Sequence, residues 1–283
     1  MTGLSIHEST QVTEEMIREI ESPEGTESWN PISHGEFLDT VFDSMASVGF
    51  EVGETKYGIS KDGGKLFGTS AVPNVSINSK VGAVLGFRNS TDKSFAASAC
   101  FGSQVFVCDN MCFSGQVVVK RKHTTNILRD LPPMMIDAIS GLGEAAEGMR
   151  NKYSFYEKSK ITDAEANNIL VEAAVEKVIA YSAIQPIHKE WMEPSHEEFR
   201  PRTAWSLHNA FTEIFRQKQE KRMDEGSNPF SIPSQSLKLN LLIDKHLPSH
   251  YSDLNPIKEE KLYLGGNLVE AEVEDVFGDG TLT

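Results

Sequence analysis

Lys120-Arg121-Lys122-His123, with Arg129 shortly after, is where the sequence gathers cations that could meet phosphate. The run falls between strand-like residues and the start of a helical pattern. Unbonded backbone N–H groups and the helix dipole favour anions at such a junction. From residue 118 to 160 there are eight Lys or Arg against five Asp or Glu, a surplus of +3 in an acidic chain. The same run also reads as a solvated basic turn. A second candidate is Arg88-Asn89-Ser90-Thr91-Asp92-Lys93. Arg88 and Lys93, with the Ser90 hydroxyl, could contact phosphate. Its turn formers also bond their own backbone, so a plain hairpin loop accounts for it as well.

Cys100, Cys108, Cys112 and His123 invite a zinc reading. Structural zinc sites use closely spaced cysteine pairs with a matching second pair, and Cys108-x₃-Cys112 has none. Free cysteine packs as a small hydrophobe, which is the expectation here. No Ser/His/Asp or Cys/His arrangement for a nucleophile stands out. Neither does a Gly-rich phosphate loop nor a His-Glu-x-x-His helix. The sequence therefore predicts no catalytic residue, cofactor or metal, and a protein that is not an enzyme.

The 283 residues are 39% hydrophobic and 24% charged, which is globular composition and ample for a core without staples. No run of about 18 apolar residues predicts a membrane span. The opening MTGLSIHESTQVTEEM has neither the basic start nor the apolar run of a signal peptide, and three cysteines suit reduced thiols. The expected compartment is the cytoplasm. The net charge of −14 sits at the ends: −11 over residues 1–54 and −5 over residues 270–283, leaving +2 between them. This predicts a flexible acidic arm over 1–30, a core over 31–222, a loop and C-terminal element over 223–269, and an acidic tail over 270–283.

The core pattern is α+β. Thr13 to Ile20 suits a short helix. Ser33 with Glu36 forms a capping box, and Phe37, Leu38, Val41, Phe42, Met45 and Val48 follow at helical spacing until Gly49. Residues 57–119 alternate as strands, with KDGGK at 61–65 as a hairpin turn, which predicts an antiparallel meander. One sheet face is lined by Gly, Ala, Ser and Cys. Beyond Arg129, Asp130 suits a cap and Pro132-Pro133 a first turn, opening a long helix that carries an apolar stripe to Tyr153. Thr162 with Glu165 caps a helix to about Ala183, and another spans about 203–218. Residues 237–243 suit strand or helix equally. Several helices packing the meander around one main core is the predicted fold.

Three segments resemble the phage and plasmid family named domain of unknown function 932. Arg88, Asn89, Ser90 and Asp92 match its Arg-Ser/Asn-Ser-His-Asp turn, with Thr91 in place of the common His. Val107, Cys108 and Asn110 match its apolar-Val-Cys-x-Asn strand end, with Met111 where Gly is common. Trp205, Asn209, Ala210 and Thr212 match its aromatic-x-x-x-Asn-Ala-x-Thr helix. The match spans roughly residues 50–220 and implies a mobile-element protein. A meander, a basic turn and a long helix also resemble the core of phage single-strand annealing proteins of the Redβ class. That element order suits single-stranded DNA in a groove and self-association through strand edges. The competing expectation is a regulatory or host-takeover protein that meets a protein partner through its acidic termini. On the cysteine reading, metal analysis of the pure protein should find no stoichiometric zinc. One equivalent of zinc, lost on Cys108→Ser, would overturn that reading.

Overall fold

Side chains of a strand alternate between two faces, so adjacent apolar residues are divided between them. In the strand β3 (Val81–Ser90), Val81, Ala83, Leu85 and Phe87 share one face; Gly82, Val84, Gly86 and Arg88 share the other. The computed structural model describes residues 12–60, 62–106, 111–224, 232–247, 261–264 and 267–270. Strands β1 (Thr55–Ile59), β2 (Lys65–Asn78), β3, β4 (Ala97–Val105) and β5 (Met111–Arg121) form the antiparallel meander. Asp62-Gly63-Gly64 turns β1 into β2, with Gly63 at a φ of 72° that glycine tolerates. Arg150 donates to the carbonyls of Ser76 (2.5 Å) and Ile77 (2.7 Å), holding the irregular stretch of β2.

Eight helices among the described residues complete an α+β fold. Thr13 caps α1 (Glu14–Arg18), and the predicted Ser33–Glu36 box caps α2 (His34–Ser47). The stretch predicted as one long helix is two, α3 (Ile127–Ser140) and α4 (Leu142–Lys158), which meet at Gly141. The start of α3 also departs from the prediction. Asn126 precedes it, Asp130 makes ion pairs instead of a cap, and Pro132 and Pro133 lie inside the helix. Both prolines lack an N–H for the preceding turn, so packing holds this helix: Ile127, Leu131, Met135 and Ile139 are all buried. Helix α5 (Asp163–Val175) has the predicted Thr162–Glu165 box but ends early. Lys177 turns left-handed at φ 58°, and Val178 and Ile179 return their N–H groups to Ala173 O. Then come α6 (Ile184–Met192), which the sequence did not predict, α7 (Ala204–Asp224) and α8 (Ile232–His246). Residues 237–243 are therefore helical.

Part of the arm predicted over residues 1–30 packs on the core through α1, while residues 23–28 are exposed. Ile17 is fully buried. Arg18 joins Glu14 and Asp39, each at 2.7 Å, and the Tyr57 hydroxyl donates to Glu14 at 2.9 Å. The stretch predicted as loop and C-terminal element also holds strands. β6 (Lys261–Leu264) joins β5 in parallel and β7 (Asn267–Glu270) follows, giving the sheet order β1 to β7. No helix among the described residues is long and apolar enough to cross a membrane.

One apolar cluster joins the helices to the sheet, and its meander members all come from the face of Leu85 and Phe87, the inner face. Close approach there depends on Gly68. A Cβ at that position would lie 2.2 Å from the Phe87 ring. Phe37, Phe42 and Tyr57 surround that ring at 6.0–6.4 Å between centroids, so it has nowhere to retreat. Gly68→Ala should cost about 1–3 kcal/mol by overpacking, measured as a lowered urea midpoint. Adding Phe87→Leu to it should recover part of the loss.

Candidate nucleic-acid interface

The candidate cations separate into three settings. Registers place Phe67, Arg88, Ser98 and Lys120 side by side across β2, β3, β4 and β5, on the outer face. Arg88 and Lys120 are two strands apart, about 10 Å. The Arg88 guanidinium lies 4.8 Å from the centroid of the Phe95 ring, a cation–π contact. The neighbouring row on this face runs Lys56, Thr69, Gly86, Cys100. Burial pushes the Cys100 thiol up to about 12, so it is not a thiolate at neutral pH.

Arg121, one residue past Lys120, falls on the opposite side and is claimed by α3. It forms an ion pair with Asp130 and bonds Thr124 Oγ1 at 3.4 Å. Asp130 also accepts from Arg129 Nε at 2.7 Å. Arg129 first, then Arg121, keeps the Asp130 carboxyl below the usual range. Arg129 is 73% exposed and Lys122 is exposed, so both remain open to an anion at the start of α3.

His123, predicted as part of the basic cluster, is only 5% exposed. Its Nδ1 accepts the Ile32 N–H at 3.2 Å, and its carbonyl accepts the Asn30 N–H at 3.2 Å. Next to it, His34 Nε2 donates to Gly63 O at 2.9 Å, which leaves Nδ1 to accept from Asn89 Nδ2 at 3.0 Å. Asn89 Nδ2 also reaches Ile32 O at 3.1 Å. Burial, then the neighbouring His34, lowers His123 to about 4; burial also lowers His34. His123 is therefore uncharged at neutral pH and pins residues 30–34 to the sheet; it is not a phosphate ligand.

The loop after β3 is tightly self-bonded. Ser90 Oγ donates to Phe95 O at 2.8 Å and accepts its N–H at 3.0 Å. Asp92 accepts from the Ser94 N–H at 2.9 Å and from its hydroxyl at 2.8 Å. Lys93 holds φ 68° with its ammonium 4.6 Å above the Trp29 ring. In α7, Trp205 stacks on His208 at 5.8 Å and 7°, and Asn209 Nδ2 bonds Trp205 O at 2.9 Å. His208 Nε2 meets Asn240 Oδ1 at 3.1 Å, and burial lowers this ring to about 4. Cys108 and Asn110 lie outside the described residues. Among the described residues, no group of three or more His, Cys, Asp or Glu could hold a metal. Phe67 was not singled out in the sequence, although its alternation with Leu66 and Gly68 already set it opposite the core.

Three buried neutral histidines make stability fall with acid. Unfolded, each would titrate near its ordinary value of 6.5; folded, His123 and His208 titrate at about 4. Below pH 6.5 the unfolded chain binds more protons, so stability is complete above that pH and declines toward pH 4. Each of the two should cost about 2 kcal/mol by pH 5. Carboxylates protonate mostly below that window, so a urea midpoint unchanged between pH 7 and pH 5 would contradict this account.

No curated protein and no solved structure matches the chain. A family model described as a domain of unknown function matches residues 26–232, a span that takes in the 30–34 strap, the whole meander and α7. The chain belongs to the family of domain of unknown function 932.

Proposed function

We propose that this is a mobile-element protein that binds single-stranded DNA on the outer face of its sheet, in a recombination, annealing or replication-support role. One observation carries the reading: the row Phe67, Arg88, Ser98, Lys120 sets an aromatic ring and two cations in line across four strands, with the Phe95 ring beside Arg88. Proteins that bind single strands without sequence preference combine base stacking on aromatic rings with a cationic track for the backbone. Lys122, just past β5, and Arg129, in the first turn of α3, add exposed cations outside the row. Self-association would use the sheet edges at β1 and β7. Contact with a protein partner, through the acidic termini, is the reading that takes over if DNA does not bind.

Binding should be weak and steeply salt-dependent, since the cations act within a chain of net charge −14. Each phosphate neutralised adds a slope of about −0.7 in log affinity against log salt. Lys56→Glu with Lys120→Glu should weaken binding of a labelled oligonucleotide at least tenfold and leave the circular dichroism spectrum unchanged. Arg121→Glu should instead destabilise the fold, because it places a carboxylate against Asp130. No shift of oligonucleotide by the wild-type protein at low salt would refute the proposal.

A further inference from the structure

The outer face is covered. Phe67 is 6% and Arg88 8% exposed, and Val84 and Cys100 are buried too. Phe67, Val84 and Cys100 nevertheless stand outside the apolar cluster that the helices complete. We propose that the acidic C-terminal segment, residues 271–283, docks on this face and occupies the place of the nucleic acid.

Position, reach and chemistry single out this segment. Strand β7 ends at Glu270, which pairs with Lys261; Tyr263, two residues on in β6, lies opposite Val119 of β5. The chain therefore leaves the sheet level with the middle of β5, two strands from its edge order. Thirteen residues follow Glu270. Extended, they span about 43 Å, whereas crossing from β7 back to β3 takes about 19 Å. The segment carries Glu272, Glu274, Asp275 and Asp279 with no Lys or Arg. Those acids complement Arg88, Lys120 and Lys56, while Val273, Val276 and Phe277 offer apolar side chains for the separate positions of Phe67 and Val84. The docking stands on these observations alone; the claim that it blocks a nucleic-acid site rests on the single-strand reading.

Cys100, on the covered face, reports the cover independently of any ligand. Its maleimide labelling would be followed by peptide mapping in the full chain and in two full-length variants. One variant is Glu272→Gln, Glu274→Gln, Asp275→Asn, Asp279→Asn; the other is Val276→Ser, Phe277→Ser. At least one variant should label Cys100 tenfold faster or more with an unchanged urea midpoint, and the charge variant should bind a labelled single-stranded oligonucleotide more tightly. Faster labelling without oligonucleotide binding would keep the docking and remove the single-strand reading. Cys100 equally protected in both variants and wild type would overturn the docking, even if the oligonucleotide binds.

Discussion

Leu85 and Phe87 can join the helices only by sending Val84, Gly86 and Arg88 the opposite way, because successive strand residues point to opposite faces. This alternation, repeated in register across β2 to β5, gives the sheet two chemically distinct sides. The inner side is aromatic and aliphatic and holds α2, α3 and α4. The outer side is mostly Gly, Ser, Thr and Ala, with two cations and Phe67 set in one row. A core of ordinary size accounts for the first side. The second is not part of that core: Phe67, Val84 and Cys100 lie outside the apolar cluster.

The inner side is locked by a polar tie that would be costly to break. Asn89 bridges His34 and the Ile32 carbonyl, and His123 accepts the Ile32 N–H, all in buried surroundings. A buried polar group that loses its partner costs about 1–3 kcal/mol, so each member holds the others in place. Asn89 and Ser90 belong to the segment that resembles the family's turn, and both spend their hydrogen bonds on the fold. Trp205 and Asn209 do likewise within and around α7. The family resemblance therefore falls largely on residues that fasten strap, sheet and helix, with Arg88 also in the outer-face row that register assembles.

Local signals were legible in the sequence wherever neighbours in the chain decide the outcome. Both capping boxes, the turn before Lys65, and the alternation of β3 and β4 need only residues a few positions apart. The basic run was misleading for the opposite reason. Lys120 and Arg121 are adjacent but point to opposite faces, and His123 is fixed by Ile32, 91 residues earlier. A sequence shows four cationic residues together; pairing to β4 and to the strap separates them. The prolines of α3 misled similarly, since a helix start about one turn earlier becomes acceptable only once Ile127 and Leu131 have the core to pack against.

Charge placement completes the physical picture. At physiological salt, charges farther apart than about 8 Å are largely screened from one another. The N-terminal acids Glu14 and Asp39 are occupied by Arg18, on elements that pack against the inner face. The sheet itself then stands between them and the outer row. Their share of the −14 adds to the general repulsion of a polyanion but reaches Arg88 and Lys120 only weakly. On the docking proposed above, the acids that follow β7 would instead meet that row directly, from a strand of the same sheet.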